Sequence, residues 1–202
     1  MARRQYVSAS RDTAAAETRG RVITAAAEIL AEGDISGFSL DAVAQRAKVT
    51  RLTVYNQFGS RRGLLEAVFD ERARRGGLFR IAAAMAMPDA RKALDRLVSI
   101  FCDFWDSDRS IGQLHAATSI DAEFARALEE RNERRRKALG VLVEQIAGGA
   151  PPASRRDAVD VMFTLTSHAV HASLRNGRSN RAVCVLITRL CHAALEAVEP
   201  PP

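Results

Sequence analysis

The residues best suited to chemistry in this chain are cations concentrated in one short segment. From Ala42 to Leu65 the sequence carries no acidic side chain and five cationic ones, which are Arg46, Lys48, Arg51, Arg61 and Arg62. A cluster of Lys and Arg without acidic residues attracts polyanions and is typical of surfaces that bind nucleic acid. The segment therefore predicts contacts with phosphate groups.

The apolar residues around these cations predict two short helices joined by a tight turn. Ala44 supplies the small residue that a helix-turn-helix needs where its helices cross, and Val43, Ala47, Val49, Val54 and Phe58 supply the apolar contacts. The outer face of the second helix then carries the candidate DNA-contacting residues Arg51, Leu52, Thr53, Tyr55 and Asn56. Their cationic, hydroxyl and apolar groups suit phosphates, base edges and thymine methyl groups.

The helix starts supply the remaining candidates, Ser39, Thr50 and Arg61. Thr50 is a favourable N-cap residue, and Ser39 opens the helix before it. Ser60 is a favourable N-cap for the helix that follows, and Gly59 supplies the break between these two helices. Arg51 and Arg61 each occupy a first helical position, where the macrodipole disfavours a cation by roughly 0.3–1 kcal/mol. A phosphate bound at each helix N-terminus would explain both arginines. The alternative is that both are solvated surface residues.

The elements that must position these residues are helical, because the apolar periodicity follows a helix along the chain. We predict an all-α fold of about nine helices. Predicted helices in the first third cover residues 17–32, 39–47, 51–58 and 61–75. Those in the remainder cover residues 89–105, 111–119, 121–147, 154–176 and 179–198. The predicted organisation is a disordered basic arm (1–16), a helix-turn-helix domain (17–75) and a larger helical domain (76–202).

Three motifs mark the first third: ITAAAEILAEG, FSLDAVAQRAKVTRLTVYNQF and GSRRGLLEAVFDE. Their order, with the Tyr-x-x-Phe, Gly-Ser and Leu-Leu spacing, resembles the DNA-binding domain of the tetracycline-repressor (TetR) family of bacterial transcriptional regulators. The resemblance implies a homodimer with a divergent C-terminal domain that binds an effector. It also implies DNA contacts, mostly to the backbone, at the matching positions Thr50, Arg51, Thr53, Tyr55 and Arg61.

Three positions depart from the family pattern. Lys48 stands where the turn usually has Gly, and if its backbone is left-handed, a non-Gly residue costs about 1–2 kcal/mol there. We expect tolerated strain at Lys48, and the alternative is an altered turn. Leu52 is bulkier than the usual small residue, and Asn56-Gln57 replaces a pair that is commonly aromatic or His. These differences affect the expected DNA specificity and leave the expected fold unchanged.

Aromatic and polar residues of the second region predict a small-molecule site, because such sites combine apolar walls with a few polar groups. The candidate lining residues are Phe101, Phe104, Trp105, His115, Thr118, Phe124, Met162, Thr166 and His168. The alternative is an ordinary apolar core, since aromatics at helical spacing are usually core residues. The expected effector is a small apolar or amphipathic molecule that releases a repressor from its operator.

The histidines and cysteines of the last two helices raise the alternatives of a metal-responsive or a redox-responsive regulator. His168 and His171 lie three residues apart, and Cys184, Cys191 and His192 follow on the next helix. No short metal-ligand motif is present. We therefore predict no metal site and no cofactor.

Helices 154–176 and 179–198 are apolar over more than one face, which predicts a homodimer interface. The small residues Ala169, Ala172, Ala182 and Ala193 would permit close approach. The alternative is that these faces only cover helix 121–147. The charged run EERNERRRK (129–137) is predicted to be a solvated face with the i, i+4 pairs Glu130/Arg134 and Glu133/Lys137.

Composition agrees with a nucleic-acid-binding protein, since 30 Lys and Arg outnumber 24 Asp and Glu. Three scattered cysteines argue against a disulfide framework, and no apolar run is long enough to cross a membrane, so we expect a cytoplasmic protein. The remaining alternative, a helical enzyme with an incidental basic region, requires a catalytic motif. The sequence has no Gly-rich phosphate loop and no nucleophile elbow, and we predict no enzymatic activity.

Overall fold

The computed structural model describes residues 2–32, 35 and 37–198, and of residues 2–12 it describes the backbone alone. The described residues form eleven α-helices, one short 3-10 helix (Leu78–Arg80) and no strand. The helices are α1 (Ala2–Ala31), α2 (Leu40–Ala47), α3 (Arg51–Phe58), α4 (Arg61–Arg75), α5 (Ile81–Met85), α6 (Ala90–Asp106), α7 (Ser110–Ala117), α8 (Ala122–Ala147), α9 (Pro152–Leu165), α10 (His168–Leu174) and α11 (Asn180–Glu196). None of the described helices is long and apolar enough to span a bilayer.

The all-α prediction is confirmed, but the number of helices was underestimated. α1 begins at Ala2, so the backbone of residues 2–16 is helical where a disordered arm was predicted. The predicted helix 154–176 is two helices, because it breaks at Thr166-Ser167. The Thr166 hydroxyl donates to Met162 O of the preceding turn, and Ser167 caps the N-terminus of α10 by accepting from Val170 N. Side chains that bond to nearby backbone compete with helix continuation, which explains the break.

The described chain forms two compact units whose limits differ from the predicted boundary at residue 75. The first unit comprises residues up to Glu71 together with Arg109–Phe124, and the second comprises Arg72–Asp108 and Ala125 onward. The unit boundaries therefore fall inside α4 and close to the start of α8. The segment that contains α7 belongs to the first unit, where it packs against α1.

The core of the first unit is built on α1. Val22, Ala26 and Leu30 recur every four residues on one face of α1 and are fully buried. α2 packs on this helix and contributes Val43 to the same core. Burial of each Val or Leu side chain stabilises the folded unit by roughly 1.5–3 kcal/mol.

Gly63 permits the close approach of α3 and α4. A Cβ atom at this position would lie 2.1 Å from Phe58 O, which is too close for two non-bonded atoms, so only glycine fits here. Gly59 ends α3 with φ 72°, as predicted from its role as a break. The orientation of α4 after α3 thus depends on two glycines.

The core of the second unit joins α6 to α11. α6 buries an apolar face that includes Leu94, Leu97 and Phe101, and α11 buries a row with four-residue spacing, Val183, Ile187, Cys191 and Leu195. Two polar contacts fix the antiparallel register of the pair: Asn180 Nδ2 donates to Asp103 Oδ1 (3.4 Å), and His192 Nε2 lies 2.6 Å from Asp95 Oδ1.

Candidate nucleic-acid interface

The turn between α2 and α3 has the geometry that the sequence predicted. Lys48 adopts the left-handed conformation (φ 54°, ψ 47°), and it is the only described non-Gly residue with positive φ. Its N–H donates to Gln45 O, and Val49 N–H donates to Ala44 O, so these bonds satisfy two of the free carbonyl groups at the end of α2. The backbone strain expected at Lys48 is therefore present.

α3 buries one residue and exposes most of its outer face. Val54 is fully buried, whereas Leu52 is 65% exposed and Tyr55 is 56% exposed. Arg51 and Asn56 are exposed as well, and Thr53 is half-buried. Leu52 and Tyr55 thus place two large exposed side chains with apolar surface next to a cation and an amide on the same short helix. Four of the five residues predicted for the outer face are therefore accessible on one short helix.

The N-terminus of α3 combines capping with a weakly held cation. Thr50 Oγ1 accepts from Thr53 N (3.1 Å) and lies 2.9 Å from Thr53 Oγ1, which confirms the predicted N-cap. The Arg51 side chain lies 3.4 Å from Asp41 Oδ2, and both side chains are about 70% exposed. An exposed ion pair of this kind contributes little. Arg51 can therefore exchange Asp41 for a phosphate at small cost.

Two arginines outside α3 connect the helix-turn-helix with α1 and the residue that follows it. Arg19 of α1 donates to Gln57 O (3.0 Å) and lies over the Phe58 ring at 4.4 Å, so it holds the C-terminal end of α3. Arg46 of α2 makes a bidentate contact with Glu32 at 2.8 and 3.0 Å. These hydrogen bonds raise the pKa of Arg46 and lower the pKa of Glu32. Arg19 was not among the predicted contact residues, because it lies outside the cationic segment.

Arg61 makes contacts within the first unit that differ from the predicted phosphate site. Its Nε donates to Phe38 O (3.1 Å), its Nη2 donates to Ile35 O (3.4 Å), and its Nη1 pairs with Asp121 Oδ2 (3.3 Å). The guanidinium also lies 5.5 Å from the centroid of the Phe38 ring. In this structure Arg61 therefore holds the loop before α2, and its donors are directed inward.

The two serines at the predicted helix starts act as N-caps. Ser39 Oγ accepts from Ala42 N (3.1 Å), and Ser60 Oγ accepts from Gly63 N (3.0 Å). Arg62, next to Ser60, is paired with Glu66 and Glu123, and the Glu66 hydrogen bond raises its pKa. The cations at the start of α4 are thus neutralised within the first unit, whereas Arg51 and Lys48 remain exposed.

The nine residues predicted for a small-molecule site divide between the two units. His115, Thr118 and Phe124 belong to the first unit, where the Thr118 hydroxyl donates to His115 O (2.7 Å). The other six belong to the second unit: Phe101, Phe104, Trp105, Met162, Thr166 and His168. Trp105 Nε1 donates to Thr166 O (2.9 Å), and the His168 ring meets the Trp105 ring edge-on at 5.6 Å. Burial lowers the pKa of His168.

The second unit contains one polar residue that the sequence analysis placed on a solvated surface. Arg135, in the run 129–137, is only 7% exposed. Its Nη1 donates to Phe163 O and to Thr166 Oγ1, each at 2.9 Å, and its guanidinium lies 4.1 Å from the Phe163 ring centroid. Among the ion pairs of the described residues, neither predicted i, i+4 pair of this run is present. Arg136 instead pairs with Glu133 and Asp160.

The histidines and cysteines of the second unit are engaged in separate contacts. His171 Nε2 lies 2.9 Å from Asn180 Oδ1, and His192 is bound to Asp95. Among the described residues, no three His, Cys, Asp or Glu side chains are placed to share a metal ion. A hydrogen bond from the Cys102 thiol lowers the pKa of Cys184 to about 7, and burial raises the pKa of Cys191 to about 12.

The helices predicted to form a homodimer interface expose apolar side chains. Val161 of α9 is 46% exposed, and on α11 Val185 is 54% and Leu190 is 41% exposed. The small residues Ala169, Ala172, Ala182 and Ala193 are also on the surface. α11 therefore has a buried face within its own unit and a second apolar face in solvent.

Comparison with known proteins agrees with this geometry. Residues 22–68 match the family model of bacterial regulatory proteins, tetR family. No curated protein is detectably similar to the chain.

Solved structures share the fold at low sequence identity. A putative TetR-family transcriptional regulator from Rhodococcus sp. has a TM-score of 0.73 and 18% identity, covering 89% of this chain and 99% of its own. The TetR-family regulator SCO4454 from Streptomyces coelicolor has a TM-score of 0.71 and 21% identity, covering 92% and 97%. The fatty acid degradation regulator FadR from Bacillus halodurans has a TM-score of 0.67 and 19% identity, covering 88% and 94%.

The matched segment contains α2, α3 and the exposed residues described above, and the fold of the whole chain is that of the similar regulators. The chain is thus similar to TetR-family transcriptional regulators, in sequence over residues 22–68 and in fold over about nine-tenths of its length.

Proposed function

We propose that this regulator binds operator DNA by inserting α3 into the major groove. The observation that carries the proposal is the outer face of α3, where Arg51, Leu52, Tyr55 and Asn56 are exposed around a single buried anchor, Val54. Leu52 and the Tyr55 ring offer apolar contacts to thymine methyl groups, and Asn56 can pair with an adenine edge. These contacts would supply sequence specificity.

The N-terminus of α3 is the proposed phosphate site. Backbone N–H groups at a helix N-terminus bind anions, and Arg51 adds a cation that is held only by an exposed ion pair. Lys48 stands exposed in the turn just before this helix. Because Arg61 is bound inside the first unit, the proposed phosphate contacts are assigned to Thr50, Arg51 and Lys48.

The proposed active form is a homodimer joined through α9, α10 and α11. Two copies related by a twofold axis would cover Val161, Val185 and Leu190 and form a four-helix interface. A dimer places two α3 helices against half-sites one helical turn of DNA, ~34–36 Å, or a multiple of it apart. We infer that an effector bound in the second unit favours a state in which this spacing is lost, which would make the protein a repressor.

The test is a footprint of the full-length protein on a fragment of its own upstream promoter. The proposal predicts two protected half-sites whose centres are separated by about 10–10.5 base pairs or a multiple. Asn56→Ala is expected to weaken binding to this fragment while leaving binding to unrelated DNA unchanged, because Asn56 is assigned to a base edge. Uniform protection along the fragment, or equal losses on both DNAs, would contradict specific reading by α3.

A further inference from the structure

Two adjacent arginines of α8 contact the same aromatic ring but differ in their counter-charges. Arg136 lies 4.0 Å from the Phe163 ring centroid and pairs with Glu133 and Asp160. Arg135 lies 4.1 Å from that centroid, is 7% exposed and has no carboxylate within 4.0 Å among the described residues. Arg136, which is partly exposed, therefore has two counter-ions. Arg135, which is buried, makes no ion pair with a described residue, and the negative charge of Glu133 acts on it only at longer range.

The hydrogen bonds of Arg135 leave one edge of its guanidinium unused. Both bonds, to Phe163 O and Thr166 Oγ1, come from Nη1. Nε is buried without a hydrogen-bond partner, and Nη2 bonds to no described residue. Nε and Nη2 together form the edge of a guanidinium that receives the two oxygens of a carboxylate. The unused donors are thus the pair that bidentate recognition requires.

Such an arrangement is unfavourable in the free protein. A buried cation loses its hydration, and neutral hydrogen bonds replace only part of it. Consistent with this cost, burial lowers the pKa of Arg135 to about 10, so the side chain still carries its charge at neutral pH. Buried charges in proteins are normally paired, and an unpaired one in an effector-binding region indicates a missing anionic partner.

We propose that Arg135 is the anion-recognition residue of the effector site, and that the effector carries a carboxylate which binds the Nε/Nη2 edge. The inference rests on the proposed function, since it assigns the effector class to the second unit. The single positive charge matches a monocarboxylate better than a phosphate, which is mostly dianionic at neutral pH.

The surroundings of Arg135 define the rest of the ligand class. The guanidinium lies 5.7 Å from the Phe101 ring centroid. It donates to Thr166 Oγ1, and the backbone oxygen of Thr166 accepts the Trp105 indole N–H. Phe101 and Trp105 are buried and the Phe163 ring is half-buried. These aromatic neighbours favour an apolar body next to the carboxylate. We infer an amphipathic carboxylate, with an aromatic ring or an acyl chain, as the effector class.

Thermal unfolding of the full-length protein in the presence of small carboxylates tests this site. At constant ionic strength and pH 7.5, sodium acetate in place of sodium chloride is expected to raise the Tm of the wild type by about 2–4 °C, because a ligand that binds only the native state stabilises it. Benzoate should give the same rise at lower concentration than acetate, whereas the neutral benzamide should give none.

The variants distinguish this edge from other anion sites. Arg135→Met is expected to lose the response, and Arg136→Met, on the same ring, should keep it. Arg135→Lys retains the charge but lacks the Nε/Nη2 edge, so it should also lose the carboxylate response. This variant provides the test if Arg135→Met does not fold. Equal rises in the wild type and in the Arg135 variants, or no rise in the wild type with either carboxylate, would overturn the proposal.

Promoter binding by the same preparations, measured without carboxylate, separates this proposal from the proposed function. Arg135→Lys should bind the promoter fragment as the wild type does. A wild type that binds DNA but shows no carboxylate response would disprove the effector class alone. A wild type that responds to carboxylate but does not bind DNA would disprove the proposed function alone.

Discussion

The first unit turns outward the polar side chains proposed to contact DNA, whereas the second unit buries its most distinctive polar residue. On α3, Arg51 has only an exposed ion pair, and Tyr55 stands 56% exposed. On α8, Arg135 is 7% exposed and makes hydrogen bonds to neutral groups alone. The difference matches two kinds of ligand. A large polyanion binds at a surface, whereas a small molecule is surrounded by the protein.

The outward-facing apolar residues of the second unit give the largest expected effect. Val185→Glu places a charge at the centre of the proposed dimer interface, and twofold symmetry places it there twice. We expect the dimer Kd to rise at least ~100-fold, measured by analytical ultracentrifugation. Val141→Glu is the matched control, because Val141 of α8 is 47% exposed and lies outside the proposed interface. An unchanged dimer in Val185→Glu would show that this face is not the interface.

The second test concerns Arg61, which is held by internal contacts in the first unit, whereas Arg51 of the same unit is exposed. Arg61→Ala removes donors to Phe38 O and Ile35 O and leaves Asp121 without its cation, so we expect the free energy of unfolding to fall by about 2–3 kcal/mol in urea denaturation. Arg62→Ala, at the exposed neighbouring position, should leave the midpoint unchanged. If Arg61→Ala has wild-type stability but lower affinity for DNA, Arg61 contacts DNA and does not stabilise the fold.

The cysteines of the second unit provide a pH-dependent test of its interior. The Cys184 thiolate accepts a hydrogen bond from Cys102, which lowers the Cys184 pKa to about 7, so alkylation by iodoacetamide should rise through pH 7 as the thiolate forms. Cys191, with a pKa raised to about 12 by burial, should remain unmodified up to pH 9. Mass spectrometry of peptides reports both sites. Cys184→Ser is the control, and equal reactivity of both cysteines would contradict the described packing.

The smallest expected effect concerns the turn that presents α3. Lys48→Gly removes the strain of a non-Gly residue in the left-handed conformation, but glycine also raises the conformational entropy of the unfolded chain. We expect a net gain of up to ~1 kcal/mol in the free energy of unfolding. Gln45→Gly, inside α2, should instead lose about 1 kcal/mol. Urea denaturation compares the two. A loss of stability in Lys48→Gly would mean that the side chain, and not the backbone, determines this position.

The sequence predicted the parts of the fold that depend on local patterns. Thr50 as N-cap and Gly59 as the break follow from rules that involve only neighbouring residues. The left-handed Lys48 was considered only because the family pattern usually has Gly at this position. The exposed outer face of α3 follows from helical periodicity around Val54. The break at Thr166 was missed because Thr and Ser also occur inside helices, and only the backbone contacts show that this pair ends one.

The parts that were missed depend on tertiary contacts. The internal contacts of Arg61 were not predicted, because its donors reach Ile35, Phe38 and Asp121, up to 60 residues away in sequence. Its predicted contact with DNA stays a prediction. Arg135 stands in a run of charges that resembles a solvated helix face. Its burial follows from contacts with Phe163 and Thr166, and no signal within the run distinguishes it from Arg134 or Arg136.

The salt dependence of DNA binding tests the central claim, that the exposed cations at the start of α3 hold the DNA backbone. Binding of the wild type to its promoter fragment should weaken linearly in a log–log plot against salt concentration, and Arg51→Ala should reduce the slope by about one. Arg136→Met, outside the first unit, should leave the slope unchanged. No binding at low salt, or the same slope for Arg51→Ala as for the wild type, would contradict the assignment of α3 as the reading helix.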